Sequence, residues 1–268
     1  MLMLFNYINR SWGRLPPSKK AVIIGGTHGI CLATAQLLLQ QDVQILVTGR
    51  SSQPIDTAKR ELGSNDRVVP CDITSLKDIT ELVHQVEAYF GPGEQIDLLF
   101  INAGYAHLDA FTDVTEETFH RTFSTNVFGS FFVAQRLVPF IRQGSAVVFT
   151  TSVANKKGIP VMSVYSASKA AMHSLVQTLA AELAGRKIRV NAFSPGFIKT
   201  PTMGVAGTPA EAMAAFEEEG VRTTPLDRIG RAEENAKAVA FLAFDATFTT
   251  GTELVVDGGL VSLQKAGH

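Results

Sequence analysis

Lys20-Ala21-Val22-Ile23-Ile24-Gly25-Gly26-Thr27-His28-Gly29-Ile30-Cys31 decides how this chain folds. Lys20 to Ile24 is a short apolar run, the pattern of a strand buried on both faces. A glycine-rich turn follows, and Leu32 to Gln41 continues as a helix with Leu37 and Leu38 on its apolar side. Strand, glycine turn and helix in that order give a weak motif its meaning as a dinucleotide-binding turn. Gly25 permits the tight turn. Gly29 lets backbone approach a pyrophosphate, which then rests on the helix amino terminus. Thr27, His28 and Ile30 belong to the same turn. Cys31 stands where a third glycine is expected for close helix-to-strand packing. A small apolar thiol predicts a slightly displaced helix and a modest loss of cofactor affinity, not a lost site.

Outward from this turn the pattern repeats. Val43 to Thr48 is a second strand, ending in Gly49-Arg50-Ser51. An acid at this point takes the ribose 2′-hydroxyl of NAD, and an arginine nearby accommodates the 2′-phosphate of NADP. Arg50 is present and the acid is not, so NADP(H) is expected over NAD(H), with His28 assisting; a merely solvated Arg50 is the alternative. Arg67 to Pro70 is a third strand, leading to Cys71-Asp72-Ile73, with Asp72 set to meet the adenine edge. A helix over Ser75–Phe90 carries Leu76, Ile79, Leu82, Val83 and Val86, and Gly91-Pro92-Gly93 breaks it. Asp97 to Ile101 is a fourth strand. It delivers Asn102-Ala103-Gly104, small residues that leave room for a cofactor. A long helix from Thr115 to about Val138 opens with Thr115 and Thr118 as caps and Glu116 and Glu117 in its first turn. Asn126 lies mid-helix, where an amide needs a partner.

Ala146 to Thr150 is a fifth strand, and Ser152 sits just past its carboxyl end, where open α/β sheets place ligands. A helix of about five turns, Tyr165 to Ala184, follows, with Tyr165 and Lys169 four residues apart on one face. Lys187 to Ala192 is the next strand, and Pro195-Gly196 turns the chain across the mouth of the sheet. Residues 201–230 lose the strict alternation. They hold Met203, Gly204, Gly207 and a helix over Pro209–Glu219, and the span of about 197–230 reads as a substrate lid. Glu217-Glu218-Glu219 reads as a solvated face. A helix over Ala232–Phe244 and a strand over Glu253–Val256 finish the fold, followed by Asp257-Gly258-Gly259. Seven strands alternating with helices predict one doubly wound, all-parallel Rossmann sheet with helices on both faces, an α/β domain spanning residues 19–268.

The bulk numbers agree. The chain has 268 residues, 46% hydrophobic, enough for one sizeable core. A net charge of -1 attracts neither nucleic acid nor an acidic membrane. Two cysteines make no disulfide framework, and no apolar run spans a bilayer, so a reducing, cytoplasmic location is expected. Residues 1–20 carry Arg10, Arg14, Lys19 and Lys20 and no acid. Residues 1–18 read as a flexible extension ending at Pro16-Pro17, with organelle targeting as the other reading. No metal site is assigned.

On these residues the sequence resembles the short-chain dehydrogenase/reductase family, from Lys20 to Gly259. The likeness rests on Gly25 and Gly29, Asn102-Ala103-Gly104, Asn126, Ser152, the Tyr165…Lys169 pair, Pro195-Gly196 with Ile198 and Thr200, and Val256-Asp257-Gly258-Gly259. Cys31 departs from a family glycine, and Ile24 from a usual threonine. The resemblance implies that Tyr165 is the general acid for ketone reduction and the base in reverse. An ammonium about 4 Å away is worth roughly 4 kcal/mol, or about three pKa units, so Lys169 is expected to lower the phenol and to hold the nicotinamide ribose. Ser152 would hydrogen-bond the carbonyl oxygen. Asn126 would hold a water relaying protons to Lys169, and Ile198 and Thr200 would fix the carboxamide. The expected pocket wall is Tyr105, Ala106, Val153, Ala154, Val161, Met162, Phe197 and Met203. It is apolar with no cation placed for a carboxylate, which suits a hydrophobic ketone. The resemblance also implies a homo-oligomer, tetramer or dimer. The competing reading is a non-catalytic dinucleotide sensor or scaffold on the same fold, which has no need of Ser152, Tyr165, Lys169 and Asn126 together.

Overall fold

The computed structural model describes residues 19–201, 203, 205 and 209–265. The basic arm and the lid glycines Gly204 and Gly207 lie outside the described residues. β1 (Lys20–Ile24), β2 (Gln44–Gly49), β3 (Val68–Pro70), β4 (Ile96–Ile101), β5 (Ile141–Thr150), β6 (Arg189–Pro195) and β9 (Glu253–Val256) form one parallel sheet in the order β3-β2-β1-β4-β5-β6-β9. β1 and β4 are buried at every position, as apolar strands covered on both faces must be.

Helices cover each face. α3 (Leu76–Phe90), α5 (Ser130–Leu137) and α6 (Ser163–Leu183) pack against one, around Phe149, Met172 and Val176. α1 (Gly29–Gln40), α2 (Ser52–Glu61) and α8 (Ala232–Ala240) cover the other, around Phe100, Phe193 and Val239. α2 has no counterpart in the sequence reading. Its polar composition buries only Ile55 and Ala58, too few apolar positions to mark a period.

The long helix from Thr115 is not continuous. Thr115 caps α4 (Glu116–Phe123) by accepting from the Thr118 amide, but Ser124–Gly129 is a π-helical turn before α5 begins. Gly129 explains part of it: a Cβ there would stand 2.6 Å from the Ile73 carbonyl oxygen, so the wide turn seats its backbone against the loop after β3. π-turns inside helices commonly mark functional positions. The excursion after β6 is closed at its base. β7 (Ile198–Lys199) pairs with β8 (Gly230–Arg231), and α7 (Ala210–Thr223) packs on Phe197 through Phe216, ring centroids 4.9 Å apart. Glu217 pairs with Lys199 and Glu219 with Arg222, so two of the three acids read as a solvated face are ion-paired.

Candidate active site

A cavity of about 450 Å³ opens at the carboxyl ends of the central strands, beside the point where the strand order reverses between β1 and β4. Main chain shapes one wall. Gly25 has φ +82°, and a Cβ there would lie 2.8 Å from Ala103 Cα. Asn102 and Ala103 both donate their amides to the Ile24 carbonyl, which straps the end of β4 to the glycine turn. Gly29 has φ +59° and faces Thr200, whose Cγ2 would be 3.1 Å from an added Cβ. α1 starts there with no side-chain cap from His28 and no acid in its first turn, leaving its positive end to an anion. The cradle and the uncapped helix fit a dinucleotide pyrophosphate. Cys31 is fully buried behind the turn, its thiol directed at the Ile24 carbonyl 3.9 Å away, and burial raises its pKa well above the ordinary value.

The expected cofactor residues all border the cavity: Thr27, His28 and Ile30 of the turn, Arg50 and Ser51, Asp72 and Ile73, Gly104, and Pro195, Gly196, Ile198 and Thr200. Arg50 is exposed and makes no ion pair among the described residues. Partial burial of the His28 ring lowers its pKa, so it offers a hydrogen bond rather than a charge. Asp72 is turned to its own loop, accepting from the Thr74 amide (2.9 Å) and hydroxyl (2.7 Å).

Ser152, Tyr165 and Lys169 converge on the cavity from two elements. Ser152 ends the extended run of β5 and caps a 3₁₀ turn, Val153–Asn155, its Oγ accepting from the Ala154 amide at 3.2 Å. Tyr165 and Ser152 border the same cavity, and the serine hydroxyl acts to lower the phenol's pKa. Lys169 Nζ donates to the Thr150 carbonyl at 2.9 Å and lies 5.7 Å from the centre of the Tyr165 ring. The electrostatics correct the expectation of a phenol lowered by this lysine. Burial around the hydroxyl holds Tyr165 above its ordinary pKa, opposed only by the Ser152 hydroxyl. Burial also lowers Lys169 to about 8, because its ammonium has left water for one carbonyl.

Asn126 does not border the cavity. Its Oδ1 accepts from the Tyr105 amide (2.7 Å), and its Nδ2 donates to the Tyr105 carbonyl and to Ser168 Oγ (both 2.9 Å). Ser168 in turn donates to the Tyr165 carbonyl at 2.7 Å. The amide thus clamps the π-turn to the loop after β4 and to α6.

Of the expected pocket wall, Tyr105, Ala106, Val153, Ala154, Met162, Phe197 and Met203 border the cavity. Val161 does not: it is 44% exposed with φ +62°, and its carbonyl accepts from the Asp109 amide. The sequence reading missed Val205, Phe216 and Arg121 as wall residues. Phe216 is the one aromatic in the alanine-rich lid helix, which was an available signal. Arg121 overturns the expectation of a wall without a cation, its guanidinium lying 4.4 Å from the Tyr105 ring centre. It sits four residues before Thr125, another wall residue, on the same helical face.

A doubly wound sheet with an uncapped glycine turn facing a serine, a tyrosine and a lysine defines the class of nicotinamide-dinucleotide oxidoreductases. The family model described as Enoyl-(Acyl carrier protein) reductase matches residues 25–261. The chain is 34% identical over 249 residues to a 3-oxoacyl-[acyl-carrier-protein] reductase of Thermotoga maritima, covering 91% of this chain and 98% of that one. It is 33% identical over 254 residues to a versicolorin reductase of Emericella nidulans, covering 90% and 95%. Among solved structures it resembles a short-chain dehydrogenase/reductase from Brucella melitensis, at a TM-score of 0.82 and 32% identity over 90% of this chain and 96% of that one. The chain belongs to the short-chain dehydrogenase/reductase family of oxidoreductases.

Proposed function

We propose that the protein is an NADP(H)-dependent reductase of a hydrophobic ketone or aldehyde, with Tyr165 as the general acid. The observation that carries this reading is the convergence of Ser152, Tyr165 and buried Lys169 on one cavity, with Lys169 Nζ 5.7 Å from the centre of the Tyr165 ring. A phenol held above its ordinary pKa is protonated at neutral pH. That form can donate a proton to a carbonyl oxygen, and its conjugate base takes the proton back in the reverse direction. Ser152 donates a hydrogen bond to the same oxygen as charge develops. Lys169 holds the nicotinamide ribose and returns the proton to Tyr165. The nicotinamide, when bound, supplies the hydride. Asn126 supports the group through Ser168 and Tyr105. A water relay through its side chain runs by the second lone pair of Oδ1, since both Nδ2 protons are taken.

Arg50 takes the 2′-phosphate, and Ile198 and Thr200 the carboxamide. Phe197, Met203, Val205 and Phe216 form a lid wall for an apolar substrate, and Arg121 gives that wall a place for an anionic group. The two relatives named above, a 3-oxoacyl-[acyl-carrier-protein] reductase and a versicolorin reductase, are consistent with a ketone. Exposed Phe119, Phe128 and Phe131 on α4, the π-turn and α5 support a homo-oligomer. Among the described residues no helix is long and apolar enough to cross a membrane, consistent with a cytoplasmic enzyme. A screen of carbonyl compounds with NADPH oxidation as readout is expected to find turnover of apolar ketones. NADPH binding without turnover of any carbonyl would favour the sensor reading.

A further inference from the structure

Glu253 has no part in the reaction described above, yet its contacts gather on the catalytic turn. It stands in β9, in register with Ala192 of β6, which is itself in register with Phe149 of β5. Its side chain is 2% exposed. Oε1 accepts from Thr151 Oγ1 at 2.5 Å and from Asn155 Nδ2 at 2.9 Å. Oε2 lies 2.7 Å from Lys156 Nζ and 3.5 Å from His173 Nδ1. A carboxylate this deep is tolerated only when paired and hydrogen-bonded. Burial opposes its ionisation, but the groups on Lys156, Thr151 and Asn155 and the charge of His173 hold its carboxyl below the ordinary value.

The identity of these partners is what matters. Thr151 directly precedes Ser152, and Asn155 and Lys156 close the turn that Ser152 opens. His173 lies on α6, four residues beyond Lys169 and eight beyond Tyr165, on the same helical face. Ser152 and Tyr165 come from separate elements, and bringing both hydroxyls to one carbonyl oxygen requires those elements to hold a fixed relation. One carboxylate touches both. Small Ala192 beside it, fully buried, leaves room for its side chain to cross β6 toward Thr151.

We propose that Glu253 is a positioning residue that fixes the Ser152 turn against the helix carrying Tyr165 and Lys169, so that the serine hydroxyl meets the phenol. The inference rests on the reading of Ser152 as the group that polarises the carbonyl. The test compares Glu253→Ala, Glu253→Gln, Ser152→Ala and the Glu253→Ala/Ser152→Ala double variant in the full chain, with a ketone found in the carbonyl screen. Glu253→Ala is expected to lower kcat by about 10–100-fold, the scale of a small misplacement of a reacting group, with the NADPH Kd unchanged. Glu253→Gln keeps an acceptor for Thr151 and Asn155 and is expected to recover most of that loss. In the Ser152→Ala background Glu253→Ala is expected to cost nothing more, because its effect runs through that hydroxyl.

Wild-type kcat in Glu253→Ala, or an undiminished further loss in the double variant, would overturn the proposal while leaving Ser152 in place. Wild-type turnover in Ser152→Ala would instead remove the reading on which it rests. Should Glu253→Ala fail to fold, Asn155→Ala cuts the same link from the half-buried loop side, and the same non-additivity with Ser152→Ala decides. A difference absorbance titration, with Tyr165→Phe subtracted, gives a readout free of substrate. Displacing Ser152 from the phenol is expected to raise the Tyr165 pKa in Glu253→Ala, and an unmoved phenol counts against the proposal.

Discussion

The two walls of the cavity are made differently. The wall from β1, β2 and β4 is main chain, and its left-handed positions, Gly25 at φ +82° and Gly29 at φ +59°, are glycines. The opposite wall, from Ile159 to Phe216, is side chain. Left-handed backbone on or beside it falls on Val161 (φ +62°) and Met203 (φ +45°), residues that adopt it at a cost. Where backbone shape receives the ligand, the residue type is dictated and easily read. Where side chains receive it, strain and identity follow the particular substrate.

That contrast breaks most visibly at Gly25. Gly25→Ala adds a Cβ 2.8 Å from Ala103 Cα at a positive φ, and is expected to destabilise the protein by about 2–4 kcal/mol. The shift of the urea midpoint measures this, and an unchanged midpoint would mean that the main-chain wall yields. Lys169 sits between the walls. Its pKa of about 8 lies below the unfolded value of about 10.4, so its buried charge penalises folding below pH 8. The penalty is relieved as pH rises from 8 to 10.4. Relative to Lys169→Met, the wild type is expected to gain roughly 2–3 kcal/mol between pH 7 and pH 10. Parallel stability curves would place that ammonium in water.

Arg50→Ala tests the cofactor wall where a side chain does contribute. NADPH affinity is expected to fall about 10–100-fold with NADH nearly unaffected, by fluorescence titration; equal losses would sink the 2′-phosphate role. The smallest effect belongs to the substrate wall. Val161→Gly removes strain at a residue 44% exposed, while its carbonyl keeps the Asp109 amide. A gain of about 0.5–1 kcal/mol in thermal unfolding is expected.

Legibility in the sequence follows the same division. The seven strands, the glycine turn and the small residues after β4 were readable because buried parallel strands are continuous apolar runs and tight turns demand glycine. Helical spacing put Tyr165 and Lys169 on one face, but only their register with Ser152, Asn126 and the glycine turn, matching the family resemblance, marked them as a site. The π-turn was not, since Asn126 and Gly129 look like poor helix formers until Tyr105 and Ile73 are seen beside them. β7 and β8, two residues each, carry no period. Arg121 was hidden because a charge on an amphipathic helix ordinarily faces water. The depression expected of Tyr165 failed because proximity in sequence says nothing of desolvation, and burial acts on both members of the pair.

The most direct test is steady-state NADPH oxidation by Tyr165→Phe with a ketone the wild type reduces, alongside its NADPH Kd. Tyr165 as general acid predicts a fall in kcat of about 10²–10⁴-fold with the cofactor bound as before. Turnover at the wild-type rate would contradict it.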